Sequence, residues 1–343
     1  MSLAPVRFKL LGRCLKKRSH ALDTRRRVIH TSTMEDLLKR ELNTTKLRPI
    51  GGGGGCINHG EGYETDQGKF FVKMNGDKGA RVMFEGENAS LEAIAATGAV
   101  TVPKPIKVLD DPRGRGAMLI MEHVDMGGLR SYADQLGEQM ARLHLHNEEV
   151  AKKAAAGSSR VGHGGDAAPA YVSQFGFHTK TCCGAIPQDN TWSDDWVSFY
   201  ATRKLKLQLD LVEKDYHDRE TRDLWPQLER KLPKFFEGLK VSPSLLHGDL
   251  WGGNAAENDK GPVIFDPASF YGHHEYELAI ASMFGGFGGR FFSAYHKLLP
   301  KAPGWEARHE LYKLFHYLNH WNHFGSSYRG SSVSIMKSLL KEY

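Results

Sequence analysis

Four polar residues, His247, Asp249, Asn254 and Asp266, lie in the single stretch LLHGDLWGGNAAENDKGPVIFDPASF, residues 245–270. A carboxylate such as Asp249 can accept or orient the proton of an attacking hydroxyl. Asn254 and Asp266 supply hard oxygen atoms, the ligands that suit Mg²⁺ bridging polyphosphate oxygens. Taken singly, each residue also fits an ordinary polar turn between the apolar runs Leu245–Leu246 and Val263–Phe265. The order of other chemical groups along the chain decides between these readings.

Upstream, Gly51–Gly55 precede Cys56, and Gly60 and Gly62 follow. Glycines let a backbone approach a ligand closely and aim N–H groups at phosphate oxygens. A Gly-rich turn is therefore expected here, with Gly53, Gly54, Gly55 and Cys56 at the phosphates. It is not a Walker A loop, because no Gly-Lys-Ser/Thr follows. The lysine stands instead in the next strand, FFVK, at Lys73, where contact with α- and β-phosphates is expected. Such a lysine needs an acid on the following helix to orient it. Of Glu85, Glu87 and Glu92, Glu87 is the expected partner, because the apolar positions Phe84 and Leu91 flank it. Asp249 and Asn254 are five residues apart, and Asp266 follows Asn254 after an apolar run, which is the spacing of a protein-kinase catalytic segment. With the Gly run and Lys73 in the right order, a chance set of polar turns explains the stretch poorly.

The elements that must position these groups can be read coarsely. Residues 34–42 have helical spacing of Leu37, Leu38 and Leu42. Strands are expected around the Gly run, at FFVK, at VPKPIKVLD and at AMLIMEHV, with a helix over 81–97. A helix over 131–147 follows. Residues 151–170, rich in Ala, Gly and Ser, are expected to form a loop or partly disordered link. Helical patterns return from Trp192 through Phe236, over 275–287 and over 306–324. The expected fold is α+β and two-lobed. Its N-lobe, 34–126, is small, β-rich and nucleotide-binding; its larger, mainly helical C-lobe, 127–343, holds the catalytic and substrate-binding groups.

Charge narrows the partners. The chain of 343 residues carries a net +6, but residues 1–33 hold nine Lys or Arg against Asp23 alone. The extension thus carries +8 and the remainder, by difference, −2. Nucleic acid is not an expected partner of that near-neutral body, and no run of apolar residues is long enough to span a membrane. The extension is Arg-rich and acid-poor, which fits a transit peptide; a solvated extension, or a shorter form starting at Met34, fits equally. The cytoplasm is the default compartment, with a mitochondrial or other organellar address as the alternative. Four cysteines without CxxC spacing argue against a disulfide framework or structural zinc.

HGDLWGGN followed by VIFDP resembles the kinase-like phosphotransferases that act on small molecules. GGGGGCINHGEGYETD, FFVKMN, MFEGENASLEAI, FGFHTKTCCG, LLHGDLWGGN and FHYLNHWNHFG together resemble the fructosamine-3-kinase and ketosamine-3-kinase family. The likeness covers about residues 34–340, and YRGSS and GPVIFDPASFYGHHEYELA point to the ketosamine-3-kinase branch. The resemblance implies ATP-dependent phosphorylation of the 3-hydroxyl of sugar–amine adducts, free or on proteins, after which the adduct breaks down and frees the amine. It implies Asp249 as catalytic base, Lys73 and Glu87 as the phosphate-positioning pair, and Asn254 and Asp266 as Mg²⁺ ligands. It also implies adenine contacts from the backbone of Glu122 and Val124. Gly248 and the Asp266–Pro267 pair depart from the protein-kinase HRD and DFG sequences, so no phosphorylation-controlled activation loop is expected.

Other residues carry two readings. Cys56 beside the phosphates is either a small residue that fits or, as the resemblance implies, a redox-sensitive thiol linking a homodimer; otherwise a monomer is expected. Trp251 can stack on a sugar adduct or anchor the core. Glu277 can hold the Asp266 loop or meet a substrate amine. His247 is expected to brace its loop, and His316, His320 and His323 to pack the core or line a pocket rather than bind metal. Cys182 and Cys183 are expected to be packing residues.

Overall fold

The structure, a computed structural model, describes residues 34–54, 57–157 and 170–343. Helix α1 (residues 34–41) leads into an antiparallel five-stranded sheet. Its strands are β1 (Arg48–Gly54), β2 (His59–Thr65), β3 (Gly68–Asn75), β4 (Pro105–Asp110) and β5 (Ala117–Glu122), in the order β1-β2-β3-β5-β4. Side chains alternate between its faces. Val72, Met118 and Ile120 pack with Leu38 of α1 and Leu42 just after it, whereas Ala117, Leu119 and Met121 face the main core. Two covered faces explain why β5 reads as an unbroken apolar run. Helix α2 (Ala80–Thr97) covers the second face with Phe84, Leu91 and Ile94 and stops at Gly98, whose φ of 64° suits glycine. Each of these apolar side chains contributes roughly 1.5–3 kcal/mol by its burial.

The rest is mainly helical, as expected. After β6 (Gly127–Gly128) come α3 (Ala133–Gly157), a β7 (Cys182–Cys183)–β8 (Ile186–Pro187) hairpin, α4 (Trp196–Phe199), a π-helical turn (Tyr200–Leu205), α5 (Lys206–Tyr216) and α6 (Arg219–Lys231). The stretch 245–270 then makes β9 (Ser244–Leu246), β10 (Ala255–Asn258), β11 (Gly261–Ile264) and the first residue of β12 (Phe270–Gly272). β12 pairs back onto β9, Phe270 opposite Leu246, and this fold-back brings Asp266 toward the loop that carries Asp249. Helices α7 (Glu275–Met283), α8 (Gly289–Leu298), α9 (Trp305–Phe324) and α10 (Arg329–Glu342) complete the chain. Among the described residues no helix is long and apolar enough to cross a membrane.

Four expectations are corrected. Gly51–Gly54 form strand, not turn, because they pair with residues 59–62 of β2. Residues 151–157 continue α3, since AKKAAA is a run of good helix formers. The single helix expected over 275–287 ends at Met283, where Gly285 and Gly286 take φ of 75° and 95°, and α8 starts afresh. The C-terminal helix α10 was not expected at all. The calls on residues 1–33, on Gly55, and on Cys56 and its redox role lie outside the described residues.

Candidate active site

β3 and α2 bring Lys73 and Glu87 together beneath the sheet. Lys73 Nζ donates to both Glu87 carboxylate oxygens at 2.8 Å, and to Asp266 Oδ1 at 2.9 Å. Lys73 and Glu87 are buried, while the Asp266 side chain stays 45% exposed. Burial pulls the Lys73 ammonium down, but Glu87 and Asp266 outweigh it and hold the pKa above the ordinary lysine value. Burial pushes the Glu87 carboxyl up, against the pull of Lys73. Glu85, by contrast, turns outward to Arg81 at 2.8 Å, and Glu92 is exposed.

Asp249 sits on the loop between β9 and β10. Burial, then the neighbouring Asp266 and Glu277, push its carboxyl up to about 7. Asn254 is buried and donates from Nδ2 to the Asp249 carbonyl at 2.9 Å and to Oδ2 at 3.3 Å, leaving Asn254 Oδ1 for another partner. Asn254 Oδ1 and the half-exposed Asp266 carboxylate are hard oxygens of the kind that suits Mg²⁺. Asp266 has a φ of 59°, sparsely populated for a residue with a side chain, and it turns the carboxylate back toward Lys73. Gly248 has a φ of 84°, and a Cβ there would lie 2.2 Å from the Ala268 carbonyl oxygen. The departure from HRD is thus required by the backbone in this loop.

The loop is held from below. His247 accepts at Nδ1 from the Asp249 N–H (3.3 Å) and so donates from Nε2 to the Phe265 carbonyl (2.9 Å). Burial keeps its imidazole below the ordinary histidine pKa, consistent with that neutral tautomer. Glu277 is fully buried and accepts from the His247 N–H at 2.5 Å and the Gly248 N–H at 3.0 Å. The two expectations for Glu277 are therefore corrected: it grips the Asp249 loop rather than the Asp266 loop, and burial keeps it from a substrate amine. His144 of α3, which sequence reasoning missed, lies 3.6 Å behind it. A histidine inside an amphipathic helix offers no local signal of this.

Trp251 is 39% exposed beside the loop, its ring over Gly253 and edge-on to Phe284 at 6.4 Å. The Glu122 N–H is taken by the Lys104 carbonyl at 2.8 Å, so the backbone group it can offer is its carbonyl; Val124 lies in the irregular segment after β5. Gly53 and Gly54 end β1, facing Gly60 and His59. Cys183 is buried and accepts from Asn319 Nδ2 at 2.8 Å, and burial pushes the Cys182 thiol up to about 11. His316 packs against Tyr276, and His323 accepts the Ala185 N–H at 2.9 Å. No three metal-ligating side chains converge among the described residues.

The fructosamine kinase family model matches residues 29–342. The chain belongs to the fructosamine kinase family. It is 57% identical over 310 residues to the mouse (Mus musculus) ketosamine-3-kinase, covering 90% of this chain and 100% of that one. It is 41% identical over 303 residues to a chloroplastic protein-ribulosamine 3-kinase of Oryza sativa subsp. indica, covering 88% and 81% of the two chains. A crystal structure of a proposed fructosamine-3-kinase from Thermobifida fusca superposes with a TM-score of 0.71 at 27% identity, covering 89% and 98%. The family's fold is the kinase-like one, shared at a TM-score of 0.53 and 14% identity with an aminoglycoside phosphotransferase.

Proposed function

We propose that this member of the fructosamine kinase family is an ATP-dependent ketosamine-3-kinase. It phosphorylates the 3-hydroxyl of ribulosamine, psicosamine or fructosamine adducts, on proteins or on small amines, so that the adduct decomposes and the amine is recovered. The observation that carries the reading is Lys73, held by Glu87 and Asp266 at 2.8–2.9 Å, with Asp266 near enough to Asp249 to raise its carboxyl. Phosphoryl transfer needs positioning and charge stabilisation more than covalent chemistry. Lys73, oriented by Glu87, contacts the α- and β-phosphates, and the backbone of Gly53, Gly54, Gly55 and Cys56 covers them. Glu122 and Val124 offer backbone groups to adenine. Asn254 and Asp266 would hold Mg²⁺, which would supply charge neutralisation at the phosphates. Asp249, raised to about 7, is basic enough near neutrality to accept the hydroxyl proton while still ionised. Trp251 offers its exposed ring to the sugar.

The names of the mouse and rice relatives support the substrate class. The test is ATP-dependent loss of lysine-bound ketosamine, compared across fructose-, ribulose- and psicose-derived adducts with matched free amines. Turnover of at least one adduct is expected. Turnover of free sugars or alcohols alone would replace the substrate, and nucleotide binding without any turnover would replace the enzyme.

A further inference from the structure

The hairpin around β7 and β8, residues 179–190, is wedged between α2 and the Ala268–Ser269 segment that follows Asp266. On the α2 side the contact is backbone to backbone, since a Cβ on Gly86 would lie 2.3 Å from the Lys180 carbonyl oxygen. Glycine inside a helix costs about 0.5–1 kcal/mol relative to alanine, and this close approach explains its place beside Glu87. On the other side Thr181 Oγ1 donates to the Ser269 carbonyl at 3.2 Å. The Ser269 N–H donates to Ser90 Oγ at 3.1 Å, and that hydroxyl donates to the Gly86 carbonyl at 2.7 Å. Hairpin, Asp266 segment and α2 thus close into a ring that includes Gly86, the residue before Glu87.

Asn319, His323 and Arg203 of the helical lobe also reach this hairpin, and Lys204 holds its buried amides. Lys204 is fully buried in the π-helical turn, a distortion that often marks functional sites. Its Nζ donates to Gln188 Oε1 at 2.7 Å and Asn190 Oδ1 at 3.0 Å, and lies 3.8 Å from the Phe270 ring centroid. Asn190 Nδ2 in turn donates to Thr181 Oγ1 at 2.8 Å. Removing Lys204 leaves two amide oxygens buried without their donor, which a hairpin relieves by moving.

We propose that Lys204 is a positioning residue for phosphoryl transfer: through the 179–190 hairpin it holds α2 so that Glu87 stays on Lys73 without any added switch. The proposal rests on the reading of Lys73 and Glu87 as the phosphate-positioning pair. Burial holds the Lys204 amine down at about 7, and a neutral amine still has two N–H groups for the two amide oxygens. The clamp therefore works with or without the charge.

A double-mutant cycle on the full chain tests it. Lys204→Met is expected to lower kcat/KM for ATP about 10-fold or more, and about 2-fold or less in a Glu87→Gln background, because both changes act through one pair. Amide exchange of α2 around Glu87 should quicken in Lys204→Met, and Lys204→Arg, which keeps two donors, should restore most of the rate. An equal fold-loss in both backgrounds, or unchanged exchange in α2, overturns the proposal. If Lys204→Met does not fold, Ser90→Ala breaks the far side of the same ring and is put through the same cycle. Its loss must also vanish in Glu87→Gln, and persistence overturns the proposal. Full activity of Glu87→Gln by itself overturns the underlying reading and this proposal with it. A damaged Glu87→Gln with additive second changes overturns the proposal alone.

Discussion

Among the described residues two lysines are buried, and their surroundings give them opposite characters. Lys73 faces two carboxylates, which hold its pKa above the ordinary lysine value although burial works against them. Lys204 faces two amide oxygens and an aromatic ring, and burial lowers it to about 7. Depth is similar; the charge of the partners differs. Lys73 stays a cation between two carboxylates, and Lys204 is a donor that tolerates losing its charge.

The comparison holds that charged partners turn a buried group to chemistry. Asp249, beside Asp266 and Glu277, offers the largest effect. Asp249→Asn should cut kcat by about 10²–10⁴-fold while the nucleotide dissociation constant stays within about 3-fold, read by adduct turnover and nucleotide titration. Retained turnover would remove Asp249 from the role of base. Next is Lys73→Met. It strands Glu87 beside Asp266, and breaking a buried pair costs about 3–5 kcal/mol. Lys204→Met leaves only neutral acceptors and should cost about 1–3 kcal/mol. Equal losses in denaturant unfolding would break the comparison.

Smaller effects lie in pH dependence. Because Asp249 is raised to about 7, kcat/KM should fall as pH drops below 7. Its folded pKa lies above its ordinary 3.8, so its contribution to stability is complete below 3.8 and declines as pH rises toward 7. Asp249→Asn should therefore gain stability relative to the parent between those values, measured as Tm against pH. A pH effect of similar size and opposite sign belongs to Lys204, whose folded pKa lies below its ordinary 10.5. The parent should gain stability over Lys204→Met as pH rises from about 7 to 10.5, and lose that gain as pH falls through 7. Cys183, raised mainly by burial, runs in the opposite direction; Lys204 pulls it down, so the parent loses no more to it than Lys204→Met does and the difference keeps its sign. A flat difference would mean that Lys204 is not held down in the fold.

Asp249, Asn254 and Asp266 were legible because one short loop–strand–loop segment carries all three, and Lys73 because it stands in an apolar strand after the Gly run; that Lys73 meets Asp266 is decided by the fold. Glu87 was legible from helix phase, since Phe84 and Leu91 mark the buried face and Glu87 lies between them. Lys204 was not. In TRKLKLQ nothing local separates it from Lys206, whose side chain is 47% exposed and pairs with Asp210. Its burial comes from the π turn and from Gln188 and Asn190 arriving from elsewhere. Glu277 was misplaced for the same reason, because its partners are backbone N–H groups thirty residues away. The Gly run was misread as turn because glycine permits a strand as readily as a bend, and only the register with β2 decides.

One hydrogen bond has a mechanical consequence. The Ile264 N–H of β11 donates to the Thr101 carbonyl at 3.0 Å, a single parallel bridge between the segment after α2 and the catalytic half of the molecule. The sheet and α2 are thus joined to the rest of the molecule through the chain after β5, at Thr101, at Gly86 and Ser90 of α2, and at Lys73 of β3. None of these joints lies on β1 or β2. The Gly-rich β1–β2 edge can then shift while Glu87 keeps its place.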